Sequence, residues 1–304
     1  ISRDERAAED HGLQHPFNPN FISNVDLPLN LHDSDLYPEM KQLPQPRVGW
    51  TRMTMALVNI EIALAGSRLA QLIWSSSGVP PEDTRAAIIR NLSSRVEEIL
   101  AYCSPVVPKQ RIAVRVARFL HRKVDVRTRQ QWQTLNHPNE PNFLATEEHL
   151  LEALDVLQDI DSIWSDEMLR DFRWTMRAYP QYHMLLFVLW HICVRPEGPN
   201  VKRALATAER HLEVARTTQS CPVQGSKWTM LMALKEKAIT LMQLAEQSAA
   251  ERNTGPGLHQ IGYSNPSFLS ASLTAGPILN DILPDWSSLL QDFQLDSVDF
   301  PMGP

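Results

Sequence analysis

Two stretches of this sequence have almost no face suited to water. From Trp50 to Trp74, WTRMTMALVNIEIALAGSRLAQLIW would place apolar side chains nearly all round a helix, and YHMLLFVLWHICV, from Tyr182, is almost wholly apolar. A helix that is hydrophobic on every side must be surrounded by other elements, so the chain is expected to build a helical domain around these two segments. Glycine points the same way. Only 11 of 304 residues are glycine, too few to supply the tight turns and bulges of a sheet-rich fold or a phosphate-cradling loop. The longest unbroken apolar run, MLLFVLWHICV, has 11 residues, short of the roughly 18 of a membrane span, and no membrane is expected as a partner.

Other segments fill in the array. ISRDERAAEDHG reads as the end of a helix stopping at Gly12, followed by an irregular stretch from His15 to Pro46 with six prolines. VPPEDTRAAIIRNLSSRVEEILAYC opens on proline and two acids, as helices do. Lys109 to Arg129 holds eight basic residues and one acid. Arg111, Arg115, Arg118 and Arg122 share one helical face there, and Ile112, Val116, Phe119 and Leu120 the other. Glu147 to Asp171 is its acidic counterpart, with nine acids and one arginine, and the two are expected to pair in part. Amphipathic helices follow over 200–217 and 227–250. The predicted fold is all-α, an irregular array of about seven helices over residues 1–250, with residues 251–304 a Gly, Pro, Ser and Asn-rich linker and a disordered tail.

Motifs for chemistry are few. No Gly-x-Gly-x-x-Gly, phosphate loop, Gly-x-Ser-x-Gly elbow or His-Glu-x-x-His pair occurs. Asp155, Asp159 and Asp161 resemble the spaced carboxylates of magnesium-binding helices, but no second cluster faces them, and a solvated acidic face accounts for them. His183, His191 and Cys193 lie on one apolar helix, too widely spaced for one ion, and are expected as core residues. Glu61, alone in its apolar helix, should pair with an arginine of a neighbouring helix, or else anchor an effector. Cys103, Cys193 and Cys221 are isolated, which fits a reducing compartment. No catalytic or metal-binding residue, and no enzymatic activity, is assigned.

The segment FNPNFISNVDLPLNLHDSDLYPEM, followed by GWTRMTMALVNIEIALAGSRL, resembles the middle homology (regulatory) region of fungal binuclear zinc-cluster transcription factors. The resemblance rests on Pro28, Leu29, Asn30, Asp33, Ser34, Asp35 and Leu36, then Thr51 or Thr54 and Glu61. Arg195-Pro196-Glu197-Gly198 is similar to a turn that ends a late helix in that family, and the likeness covers roughly residues 3–215. It implies a regulatory domain in which Asn30, Asp33, Ser34, Asp35 and Glu61 are structural. It also implies a nuclear location and no cofactor within this chain. Zinc belongs to the family's six-cysteine DNA-binding domain, which is missing here, and this chain is expected to be a fragment of a longer factor or a shortened product that binds no specific DNA.

The end of the chain fits that picture. Nothing after Arg252 is basic, and the last 52 residues carry five of the six units of net negative charge. ILNDILPDWSSLLQDFQLDSVDF has the acidic-hydrophobic composition of a transactivation segment. Ile282, Trp286, Leu289, Leu290 and Phe293 fall along one side of a short helix and are the expected anchors for a coactivator groove. A small-molecule effector and a second copy of the chain are the other candidate partners. The alternatives are an all-α adaptor or scaffold, and a helical enzyme of secondary metabolism.

Overall fold

The structure, a computed structural model, describes residues 26–75, 80–137, 139–140, 142–179, 181–218 and 226–254. The helix expected to stop at Gly12, Cys221, and the linker and tail beyond Thr254 lie outside these residues. Among the described residues there is no strand; the fold is an all-α array. Its helices are α1 (Thr54–Ser75), α2 (Glu82–Leu100), α3 (Pro108–Asn136), α4 (Glu147–Trp164), α5 (Tyr182–Val194), α6 (Val201–Thr218) and α7 (Ser226–Thr254). Single 3-10 turns cover Asp33–Asp35 and a longer 3-10 stretch covers Glu167–Ala178.

Local chemistry sets the helix ends. Glu82 and Asp83 occupy the first turn of α2, where carboxylates meet the positive end of the helix dipole. Pro108 stands at the first turn of α3, a position whose N–H has no intrahelical partner anyway. Thr146 caps α4 by accepting the His149 N–H at 3.3 Å. At the end of α5 Arg195 leaves the helical region because Pro196 follows it.

Helix α5 is the centre. Every side chain from Met184 to Cys193 is buried, with Trp190 and Phe187 fully so. α4, α6 and α7 pack round it. Burying each such side chain contributes about 1.5–3 kcal/mol. A second, smaller core lies where α1, α2 and α3 meet, built from Val58, Ala65, Leu92, Val96, Leu100 and Ala117. Helix α3, at 29 residues about 43 Å long, runs through both cores and joins them. Trp132 near its end is fully buried, and its indole N–H donates to the Pro80 carbonyl at 2.8 Å.

Two expectations need correction, and one apolar helix needs a second description. Helix α1 is not enclosed like α5. It packs on α2 and α3 along one side, burying Val58, Ala63, Ala65 and Leu69, while Leu57, Ile60 and Leu64 remain half-exposed. Its stretch Thr54–Ile73 is also long and apolar enough to cross a membrane by length and composition, with 28% of it buried here. An unbroken-run criterion missed it because Glu61 and Arg68 interrupt a segment whose average remains apolar. The acidic segment, finally, is helical only to Trp164, and Asp166 starts the 3-10 stretch by accepting the Met168 N–H at 3.1 Å.

The oppositely charged helices do sit side by side, and they pair in part. Arg122 meets Asp159 at 3.2 Å, Arg129 bonds Glu152, and Arg111 meets Asp166 at 2.6 Å. Arg118 turns away to Glu97 of α2 at 3.1 Å. One buried cation, Arg85, ties α2 to α3 through Asp125 at 2.7 Å and the Thr128 hydroxyl at 3.2 Å, with Glu82 on its other side.

These environments separate two substitutions. Leu157→Ala, at a fully buried site in α4, should cost about 2–5 kcal/mol in urea unfolding. Arg118→Glu, at an exposed pair, should cost no more than about 1 kcal/mol. Equal losses would contradict this division of the stabilising contacts.

Candidate functional site

The segment Asn30–Asp35 is held against the start of α1 by a set of polar contacts. The Asn30 amide donates to the Arg47 carbonyl and to the Gly49 carbonyl, each at 2.8 Å. Its oxygen accepts the Thr51 hydroxyl at 2.6 Å. The backbone N–H of Arg47 returns to the Asn30 carbonyl at 2.8 Å. Thr51 and Thr54, both buried, complete the helix start: the Thr51 N–H donates to the Thr54 hydroxyl at 2.9 Å, and the Met53 N–H to the Thr51 hydroxyl at 3.0 Å. Gly49 adopts φ +103°, a left-handed conformation that side chains oppose, which presents its carbonyl to Asn30.

The aspartates finish the clasp. Asp35 accepts the His32 N–H at 2.9 Å and takes a two-pronged grip from the Arg47 guanidinium. The bond from Arg47, joined by that from His32, holds the Asp35 carboxyl below its ordinary range. Asp33 pairs with Arg52 at 3.0 Å, an exposed contact. Ser34 is exposed on the turn. Glu61 stands apart, two turns into α1, where Arg95 of α2 reaches it at 3.3 Å, as expected of a carboxylate in an apolar helix. Asn30, Asp33 and Asp35 are thus brought together; Ser34 and Glu61 are not part of the clasp.

The other sequence candidates separate. Asp159 faces Arg122, yet burial outweighs that partner and raises its carboxyl. Asp161 points the opposite way, toward α6, where it meets His211 Nε2 at 3.1 Å and bonds Arg210. Burial alone would raise the Asp161 carboxyl, but these two partners hold it below its ordinary range. Asp155 is exposed. His183 bonds Gln130 at 3.1 Å, and Cys193 points its thiol at the Leu234 carbonyl at 3.6 Å. Burial pushes the Cys193 thiol up to about 12 and holds His191 neutral, at about 4. Among the described residues no three His, Cys, Asp or Glu side chains are grouped to hold a metal ion.

What the sequence did not reveal is a groove between α4 and α6. It encloses about 730 Å³ and is lined on one side by Leu154, Gln158, Asp161 and Trp164, and on the other by Arg203, Thr207, Arg210 and His211. Arg203 donates to the Gln158 carboxamide at 3.2 Å. Ser165, at the groove edge, donates its hydroxyl to the Asp161 carbonyl at 2.8 Å. The groove therefore offers cationic and aromatic contacts for binding. Asp161 was visible as an acid, but Arg210 and His211 lie 49 and 50 residues further on, and no local spacing signals that pairing.

Removing the Asn30 amide should loosen the whole clasp. Asn30→Ala should cost about 1–3 kcal/mol and speed amide exchange across residues 30–50, with α5 unaffected. Buried His191 predicts a pH effect of definite sign. Its folded pKa lies below its unfolded one, so the unfolded state binds more protons and stability must fall as pH drops from about 6.5 to about 4. The loss should reach at most about 3 kcal/mol, and His191→Gln should remove it in chemical unfolding between pH 5 and 6.5.

Compared with known proteins, the chain matches no family model, no curated protein and no solved structure.

Proposed function

We propose that this chain is a regulatory and activation portion of a nuclear transcription factor, related to the fungal zinc-cluster factors that its Asn30–Asp35 segment resembles. In this reading residues 1–250 form the regulatory body, and the acidic, aromatic residues from 278 to 300 recruit a coactivator. The chain performs no catalysis, carries no cofactor and binds no specific DNA; the family's zinc belongs to a DNA-binding domain outside it. Ile282, Trp286, Leu289, Leu290 and Phe293, the anchors assigned to the tail, lie outside the described residues, so their role rests on composition and spacing.

The observation that carries the reading is the clasp. Of the residues on which the resemblance depends most, Asn30 and Asp35 are linked through Arg47 and fix an irregular segment on a helix start, and Asp33 adds an exposed pair with Arg52. A chance match in an unstructured loop would not require those particular side chains. The clasp is structural in kind, as the resemblance implies, and supports kinship in fold more directly than it supports activity.

A fusion of residues 251–304 to an unrelated DNA-binding domain tests the function. Reporter output should rise well above that of the DNA-binding domain alone, and Trp286→Ala with Phe293→Ala should remove most of the rise, while Ser287→Ala with Ser288→Ala should not. An inactive fusion would favour an all-α adaptor over a transcriptional role.

A further inference from the structure

The groove between α4 and α6 and the acidic end of the chain have matching patterns. Arg203, Ala206, Thr207 and Arg210 follow one another at i, i+3, i+4 and i+7 along α6, so they line one strip of the helix surface. The two arginines stand about 10.5 Å apart along that strip. Between them Ala206 is small and exposed, leaving room for close approach. Trp164, Leu154 and Val214 add apolar surface. Arg210 already meets Asp161, whereas Arg203 contacts the neutral Gln158, and no carboxylate of the described residues pairs with it. The groove therefore carries a surplus of positive charge beside apolar surface.

The tail has the complementary order. At 100° per residue, Asp281, Asp285, Asp292, Asp296 and Asp299 all fall within one narrow stripe of a helical wheel, at i, i+4, i+11, i+15 and i+18. That stripe borders the arc holding Ile282, Trp286, Leu289, Leu290 and Phe293. Asp285 and Asp292 are seven residues apart, as are Arg203 and Arg210. Five aspartates scattered at random among 23 positions would not share one edge of the apolar arc.

The chain can also reach. Lys202 pairs with Glu246 at 2.8 Å and Lys235 with Glu209 at 3.0 Å, so α7 runs antiparallel to α6. Its last residue, Thr254, therefore leaves beyond the Val201 end of α6, the end that carries Arg203. The 26 residues from 255 to 280 span roughly 28 Å if they behave as a flexible chain, ample to return to the groove. Tethering of that kind sets a local concentration on the order of millimolar, enough for a modest contact.

We infer that residues 281–293 of this chain dock in the α4–α6 groove, with Asp285 and Asp292 on Arg203 and Arg210 and the Trp286 face against Trp164 and Leu154. The inference rests on the activation reading for its consequence: a docked tail hides the anchors it would offer a coactivator. It does not rest on that reading for its geometry. Whatever binds the groove more tightly, or neutralises its arginines, would free the tail.

The test is amide hydrogen exchange over residues 281–293 in the full 304-residue chain. Protection of about tenfold or more is expected, falling as salt rises. Arg203→Glu, at an exposed site whose loss leaves the helix intact, should abolish it, as should Asp285→Lys with Asp292→Lys. Combining Arg203→Glu with either single lysine change should restore protection in one combination, which also reads the direction of docking. Three results would each overturn the inference: equally fast exchange in the unaltered chain and the Asp285→Lys, Asp292→Lys variant; protection that survives Arg203→Glu; or protection that appears only at high protein concentration, which would assign the contact to a second copy. Exchange reports docking and the reporter fusion reports activation, so either idea can fail while the other stands.

Discussion

Helix α5 can show no side of itself to water, and the rest of the body is arranged by that fact. From Met184 to Cys193 its side chains are buried in succession, so α4, α6 and α7 must close round it. Once they do, each needs only one apolar stripe, and their other faces are left for charge. The enclosure also sets protonation states: burial holds the His191 imidazole neutral and the Cys193 thiol protonated, which makes that thiol a poor nucleophile.

Charge then organises the periphery. The basic face of α3 is divided among partners: Arg118 goes to α2, Arg122 and Arg129 to α4, and Arg111 to Asp166 just past α4. Those contacts are individually weak where exposed, and their value lies in fixing which helices are neighbours. The same division splits the aspartates of α4. Asp159 faces α3 and Asp161 faces α6, because positions two apart on a helix lie about 200° round it. Of three carboxylates that look like a cluster in the sequence, two therefore serve separate interfaces and Asp155 is exposed.

The clasp at Asn30 and the groove at Arg203 differ in what holds them. In the clasp, side chains bond backbone groups that have no helix or strand to satisfy them, which is how an irregular segment becomes a defined one. In the groove the backbone groups are satisfied within the helices, and the polar side chains bond one another across it, Arg203 to Gln158 and Arg210 to Asp161.

Much of the body was legible in the sequence because helix periodicity is local. The apolar stripes of α3, α4, α6 and α7 and the prolines opening α2 follow from spacing within a few turns, and the pairing of Glu61 with an arginine from the cost of a lone carboxylate in an apolar helix. The clasp residues were also visible, as a motif, although not the fact that Thr51 and Thr54 both take part. Other features depended on which helices meet. The half-open side of α1 could not be distinguished from the closed surface of α5, since both read as apolar all round and only the number of neighbours differs. The groove was hidden for the same reason. Asp161, Arg203, Arg210 and His211 converge across more than forty residues of chain, and only the packing of α6 on α4 and α5 brings them to one place.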